Sequence, residues 1–249
     1  MTLSVQNLSK SYVENNQEAA VFLDLNLSLE RGSFVSLIGP SGSGKSTLLN
    51  LIAGIEYPDN GRIYLNDKEI TGTSGNVGYM FQKDLLLPWR TLEENIRLGC
   101  DLKGLDKKLT SEESKKWLNR FGLSEFADYY PHQLSGGMRQ RGALLRTILF
   151  GESVLLLDEP FGALDALTRR EMQYWLLSVW NETQNTVLFV THDIEEAILL
   201  SDKIMVLSKR PAEIVEVIDV NFLRPRKPEM ILSNDILGLK KKLFHLLNT

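Results

Sequence analysis

One cysteine, Cys100, is all the chain has, so no intrachain disulfide can form. Long apolar runs are missing too. Stretches such as Val154 to Leu157 are strand-sized, far short of the roughly 18 uninterrupted apolar residues of a membrane span. The opening Met-Thr-Leu-Ser-Val-Gln-Asn lacks a basic region followed by an apolar core, so no export is expected. The chain therefore reads as soluble and cytoplasmic, still able to dock on a membrane protein. There is no excess of positive charge: 28 Lys and Arg face 32 Asp and Glu, a net charge of −4. That balance offers no general attraction to nucleic acid or anionic lipid. Internal repeats and low-complexity tracts are absent. The composition, 43% apolar and 24% charged, is that of an ordinary globular chain with one large domain or a domain plus a subdomain.

What the chain does have is Gly39-Pro40-Ser41-Gly42-Ser43-Gly44-Lys45-Ser46, which fits G-x-x-x-x-G-K-[ST]. Phe34 to Ile38 before it reads as a short buried strand, and Thr47 to Ala53 after it as a helix stopped by Gly54. Glycines let backbone N–H groups point inward, and the helix start adds partial positive charge, so the loop suits a phosphate. Lys45 is placed to reach β- and γ-phosphates, and Ser46 to set its hydroxyl on Mg²⁺.

Around this loop the chain alternates. Leu3 to Val5 suggests a strand, followed by Ser9 to Tyr12. Leu23, Leu25, Leu27 and Leu29 alternate with polar residues at the period of a half-buried strand. Pro58 to Gly61 reads as a turn before a strand at Arg62 to Asn66. Thr91-Leu92-Glu93-Glu94 and Thr110-Ser111-Glu112-Glu113 read as capping boxes, with Gly122 ending the second helix. No strand is expected between about 89 and 151, which suggests a helical subdomain inserted into an α/β core. Strands are then expected at 154–157, 186–190, 204–207 and 214–220, with a helix from the Asp165 cap to about Trp180. A third capping box is read at Asp193 to Glu196. Past Arg224-Pro225-Arg226-Lys227-Pro228, Ile231 to Leu247 reads as an amphipathic helix.

Asp158-Glu159-Pro160 follows the buried run ending at Leu157, which delivers two carboxylates to a sheet edge where ligands gather. Asp158 is placed to hold Mg²⁺, directly or through water, and Glu159 to polarise the water that attacks a γ-phosphate. Ser135-Gly136-Gly137, after Leu134, opens a second helix start suited to a phosphate.

Together these segments resemble the ATP-binding-cassette (ABC) ATPases, with the family's motifs in their usual order over nearly the whole chain. The resemblance implies a RecA-like P-loop NTPase core with an antiparallel β subdomain and a helical signature subdomain. Expected bounds are 1–88 and 152–220 for the α/β core, 89–151 for the helical part and 221–249 for an extension. ATP and Mg²⁺ are the implied cofactors. The cofactor-binding set is Tyr12, Gly39, Pro40, Ser41, Gly42, Ser43, Gly44, Lys45, Ser46, Thr47, Gln82, Ser135, Gly136 and Gly137. The resemblance further implies that Ser46, Gln82 and Asp158 hold the metal and that Glu159 and His192 are catalytic. Tyr12 resembles the family's adenine-stacking aromatic, Ala163-Leu164-Asp165 its dimer-contact loop and His192 its switch histidine. Taken alone, Tyr12 reads equally as a packed surface aromatic, Gln82 as the end of a strand and His192 as a structural histidine.

With one phosphate loop and one signature per chain, the resemblance implies a head-to-tail pair with two ATPs between the copies. It points to a transporter subunit rather than a cassette acting on ribosomes or nucleic acid, because Gln82 to Leu134 is short and lacks sustained heptads. Leu86 to Asn95, Glu159 to Asp165 and Leu207 to Pro211 are similar to importers of nitrate, aliphatic sulfonates, taurine and vitamin precursors. Membrane permease subunits and, indirectly, an extracytoplasmic solute-binding protein are the implied partners, with the chain on the cytoplasmic face of the membrane. Trp89 reads either as part of a permease-docking groove or as a helix-packing aromatic.

Overall fold

The computed structural model describes residues 2–14, 17–162, 164–224, 226, 230 and 233–248. Strands β1 (Leu3–Glu14) and β2 (Gln17–Leu29) pair antiparallel. Their register shifts between Val5 and Ser11, and Asp24 takes a positive φ of 54°. This irregularity breaks the expected alternation: Val21 and Phe22 are both buried, while Leu23 turns outward and only Leu25, Leu27 and Leu29 face the core. Strand β3 (Phe34–Ile38) is buried at every residue, as a parallel strand covered on both faces must be. Helix α1 (Lys45–Ile52) follows the glycine loop and stops before Gly54, whose φ is 69°. Strand β4 (Asn60–Leu65) starts two residues earlier than the sequence suggested; β5 (Lys68–Glu69) and β6 (Gly78–Met80) follow.

The next stretch is helical: α2 (Leu92–Ile96), α3 (Leu98–Leu102), α4 (Lys107–Arg120) and α5 (Gly136–Leu149), with 3-10 turns at Ser124–Phe126 and Pro131–Gln133. Among the described residues between 89 and 151 there is no strand. The Thr91 box is complete, the Glu94 N–H donating to the Thr91 hydroxyl and the Thr91 N–H to the Glu94 carboxylate. The Thr110 box does not form. Asp106 lies closer to the start of the apolar pattern and caps α4 by accepting from the Lys108 and Leu109 N–H groups, so Thr110 falls inside the helix.

The chain then alternates again through β7 (Val154–Asp158), α6 (Ala166–Thr183), β8 (Thr186–Val190), α7 (Ile194–Leu200), β9 (Lys203–Leu207) and β10 (Ile214–Asp219). Helix α8 (Asn234–Asn248) closes the described chain; residues 231 and 232 of the expected helix, like Pro225, Lys227 and Pro228 before it, lie outside the described residues. Asp193 caps α7, but Glu196 does not reach back to complete a box; its carboxylate takes Thr191 and Gln173 instead.

One sheet has the order β2-β1-β4-β5. The other runs β10-β9-β3-β8-β7-β6, parallel except for β10. Helix α1 lies in the core shared by the two sheets, with Leu48, Leu49, Leu51 and Ile52 fully buried among Leu3, Val5, Leu27 and Leu37. The opposite face of the parallel sheet carries the second core, where Phe34, Leu155 and Phe189 meet Leu92, Leu118 and Leu144 of the helical stretch.

Arg226 pins the segment beyond β10. Its guanidinium is buried and donates to the carbonyls of Phe222, Ile198, Ser201 and Val220. Burial, with Arg224 nearby, brings its pKa down to about 10, so it stays charged at neutral pH. Arg226→Ala removes the donors and strands the buried carbonyls, an expected cost of about 3 kcal/mol. Urea unfolding measures this as a lower midpoint; an unchanged midpoint would mean the pin holds nothing.

Candidate functional site

Because β3, β6, β7 and β8 run parallel, their carboxyl ends lie along one edge of the sheet, the edge where ligands of open α/β sheets bind. The loop from Gly39 to Ser46 leaves β3 at that edge. It is gripped from behind: a Cβ on Gly44 would stand 2.4 Å from Val21 Cγ1 and 2.9 Å from Phe22 Cζ, and one on Gly39 would stand 2.9 Å from Leu207 Cβ. Gly44 also has a φ of 101°, open to glycine at little cost. Gly42, on the loop's outer side, has nothing within 4 Å of its Cβ position. The loop opens there onto a cavity of about 610 Å³ lined by Gly39, Ser41, Gly42, Gly44, Lys45, Ser46 and Thr47, with Gln82, Glu159, His192 and Arg210 around them.

Lys45 is nearly buried and donates to the carbonyls of Gly39 and Pro40, both at 2.9 Å, and to the Ser43 hydroxyl at 3.4 Å. Burial lowers its pKa from the ordinary lysine value, against the pull of Glu159 and Asp158. Asp158, at the end of β7, is buried and hydrogen-bonded by the Ser46 side chain. Burial raises its carboxyl pKa, the Ser46 hydrogen bond and Lys45 acting against the shift and Glu159 with it. A hydroxyl and a carboxylate side by side are hard oxygen donors suited to Mg²⁺. No cluster of three or more His, Cys, Asp or Glu side chains forms a metal cage among the described residues. The residues present thus fit Mg²⁺ in its usual mode, with one or two protein oxygens and the rest of its shell left to phosphate and water.

Glu159 has a φ of 45°, a left-handed conformation that costs a non-glycine residue roughly 1–3 kcal/mol. Its backbone is held there by an N–H bond to Val190 O at 2.9 Å and by the Gly162 N–H on its own carbonyl at 3.1 Å. The result is a carboxylate at the cavity wall, taking Gln82 Nε2 on Oε2 at 3.1 Å and standing 3.4 Å from His192 Nδ1 through Oε1. A carboxylate flanked by an amide and an imidazole at the edge of a phosphate-type loop can orient a water against a phosphoryl group.

The other residues singled out in the sequence lie around or away from this cavity. Tyr12 does not line it; its hydroxyl donates to Glu56 and is also bonded with Thr47, so the ring stands beside the α1 end of the loop. Pro40 and Ser43 form the loop's back, through the contacts to Lys45. Ser135 caps α5 by accepting from the Met138 N–H, and Ser135 and Gly136 are exposed, outside the cavity. A Cβ on Gly137 would stand 3.5 Å from Leu164 Cδ2, so the signature helix start and the Leu164–Asp165 loop share a face; Ala163 lies outside the described residues. Trp89 is 71% exposed and packs against no helix core. Arg210 is the lining residue that sequence reading did not assign to the site. Its signal was position alone, just beyond β9 on a turn tied to β2 by the Ala212 N–H to Val21 O bond of 2.7 Å.

The sequence profile of ABC transporters matches residues 22–162. This chain belongs to the ABC transporter family. It is 42% identical to an uncharacterized ABC transporter ATP-binding protein of Methanocaldococcus jannaschii, over 98% of this chain and 91% of that protein. It is 45% identical to the aliphatic sulfonates import ATP-binding protein SsuB of Bacillus thuringiensis subsp. konkukian, over 91% of this chain and 89% of that one. Among solved structures, a dimeric post-hydrolysis ATP-binding cassette bound to ADP and Pi superposes with a TM-score of 0.80 at 30% identity, covering 89% of this chain and all of that one. The expected P-loop α/β fold with an antiparallel β subdomain is thus the fold of a known cassette. Cassettes of this family bind ATP, with Mg²⁺ as the usual cofactor, and hydrolyse it.

Gly44→Ala places a methyl group inside van der Waals contact of Val21 and Phe22 in a conformation alanine resists. The loop must shift, so ATP affinity measured by calorimetry should fall by at least about tenfold while far-ultraviolet circular dichroism stays unchanged. Parent affinity in this variant would contradict the clamped-loop geometry.

Proposed function

We propose that this chain is the ATP-hydrolysing subunit of an ABC importer, working as a head-to-tail pair beneath membrane permease subunits on the cytoplasmic face of the membrane. The observation that carries this reading is a division of parts. Lys45, Ser46, Gln82, Glu159 and His192 share one cavity, whereas the signature helix start at Ser135–Gly137 opens to solvent outside it. Half of a phosphate enclosure is therefore left for a second copy to supply, and the dimeric cassette structures of similar fold favour that arrangement.

In the proposed reaction, loop N–H groups and the start of α1 receive the phosphates, and Lys45 exchanges its loop carbonyls for the β/γ-phosphate oxygens, the stronger charge-assisted contact. Ser46 and Asp158, with Gln82 nearby, would hold Mg²⁺, which would neutralise phosphate charge. Glu159 orients the attacking water and takes its proton as the new P–O bond forms and the bond to ADP breaks. His192 hydrogen-bonds the γ-phosphate. Ser135, Gly136 and Gly137 of the second copy close the site.

Coupling to a permease would run through residues 82–89. Gln82 lies at the cavity, while the next residues are strapped to α5: Arg139 Nε meets Asp84 Oδ2 at 3.1 Å, and Arg146 donates to the carbonyls of Asp84 and Leu85, both at 2.7 Å. Exposed Leu85 and Trp89 stand on this segment. An apolar hollow of about 190 Å³ between Val77, Leu98, Leu102 and Phe150 also borders Arg146 and has room for a single apolar side chain of a permease subunit. In the described residues no helix is long and apolar enough to cross a membrane, so the transmembrane path would belong to other subunits.

For the cargo, relatives named for aliphatic sulfonate import favour a sulfonate, taurine included, or an oxyanion such as nitrate over a vitamin precursor. With its permease and binding protein in lipid vesicles, ATP turnover should rise with an alkanesulfonate; a response only to a chemically unrelated solute would overturn the cargo.

Glu159→Gln keeps the side chain's size and removes the base. Turnover should fall by roughly 10² to 10⁴ while ATP binding persists, leaving an ATP-bound pair visible as a doubled mass by size-exclusion chromatography with light scattering. A variant that hydrolyses at the parent rate and stays single with saturating Mg-ATP would contradict both the catalytic assignment and the paired cycle.

A further inference from the structure

Between His192 and the Leu164–Asp165 loop runs a buried polar chain that the proposed reaction does not use. Its centre is Glu196, in the first turn of α7 and only 7% exposed. A carboxylate at that depth requires partners. Thr191 donates its hydroxyl to Oε2 at 2.6 Å, and Gln173 of α6 donates Nε2 to Oε1 at 3.1 Å. Arg169, in the first turn of α6, sets Nε 4.0 Å from Oε1; that Nε is buried and makes no hydrogen bond among the described residues. The same guanidinium donates through Nη2 to the Leu164 carbonyl at 3.1 Å.

The Thr191 hydroxyl does two things at once. While donating to Glu196 it accepts the Asp193 N–H at 3.0 Å, so the residues on both sides of His192 are fastened to one oxygen, and that oxygen is fastened to Glu196. The His192 side chain itself is 70% exposed and meets Glu159 only at 3.4 Å. The Thr191–Glu196 pair thus helps to fix the backbone on both sides of His192, the base from which its side chain reaches the cavity wall. Through Arg169 that pair is joined to Leu164, whose side chain contacts the Gly137 position at the start of the signature helix.

We propose that Glu196 is a positioning residue for His192: it fixes the histidine's reach through Thr191 and ties it, through Arg169, to the loop where a second copy would sit. This rests on the reading of His192 as a γ-phosphate contact. A carboxylate that merely fastened α6 to α7 would make the same hydrogen bonds but would not act through His192, and a mutant cycle separates the two.

ATP turnover is measured for the parent, Glu196→Ala, His192→Ala and the double variant. Glu196→Ala is expected to lower kcat at least about tenfold with KM for ATP within about twofold, and to cost nothing further once His192 is alanine. Glu196→Gln, which keeps an acceptor for Thr191, should retain more of the rate than alanine does; where the alanine variant fails to fold, the same cycle with glutamine decides. An equal loss in both backgrounds, a parent rate for the Glu196 variants, or an effect confined to KM would overturn the positioning role while leaving the histidine's assignment intact. A parent rate for His192→Ala would overturn that assignment and this proposal with it.

Discussion

The contact between Gly44 and β2 governs the geometry of the site. No side chain fits between the phosphate loop and Val21 and Phe22, nor between Gly39 and Leu207. The loop is held from behind by two strands of different sheets, leaving only its outer face, at Gly42, open. The turn after β9 is fastened to β2 by the Phe22–Ala212 bridge and the Ala212–Val21 hydrogen bond, and so brings Arg210 to the same cavity. With the loop fixed, the parallel strands do the rest: β7 brings Asp158 and Glu159, β8 brings His192, and β6 leads to Gln82, all at the carboxyl edge.

The helical stretch is joined to that edge at two points. Gln140 of α5 is buried and donates to the Pro160 carbonyl at 2.9 Å, next to the strained Glu159. Arg139 and Arg146 of the same helix hold the segment beyond Gln82. Asn95, fully buried, takes the Leu87 N–H at 2.6 Å and donates to the carbonyls of Leu87, Arg90 and Thr91, supplying partners to four backbone groups of an irregular segment. Helix α5 is thus bonded both to the cavity wall, at Pro160, and to the segment at Asp84 and Leu85 that precedes the exposed Trp89.

Much of this was legible in the sequence because it is local. Glycines that need positive φ, strand-sized apolar runs and the Thr91 cap are set by neighbours in the chain, and they appeared where their chemistry predicts. Failures came where distant contacts, or a competing group nearby in the chain, decide. The outward turn of Leu23 follows from a register shift against β1, and the unformed Thr110 box from a better cap four residues earlier at Asp106. The Asp193 box lost its glutamate to the nearby Thr191 and to Gln173, the latter brought near by the packing of α6 on α7. Arg210 was hidden for the same reason, since nothing in its own segment announces that β9 ends beside the phosphate loop.

The central claim is that one chain carries half of each hydrolytic site. Its direct measure is specific ATPase activity against protein concentration, with mass followed by light scattering under the same conditions. Activity per chain should be near zero where the protein is single and should rise with the fraction paired. A constant activity per chain, held down to concentrations at which the protein with Mg-ATP is wholly single, would contradict it.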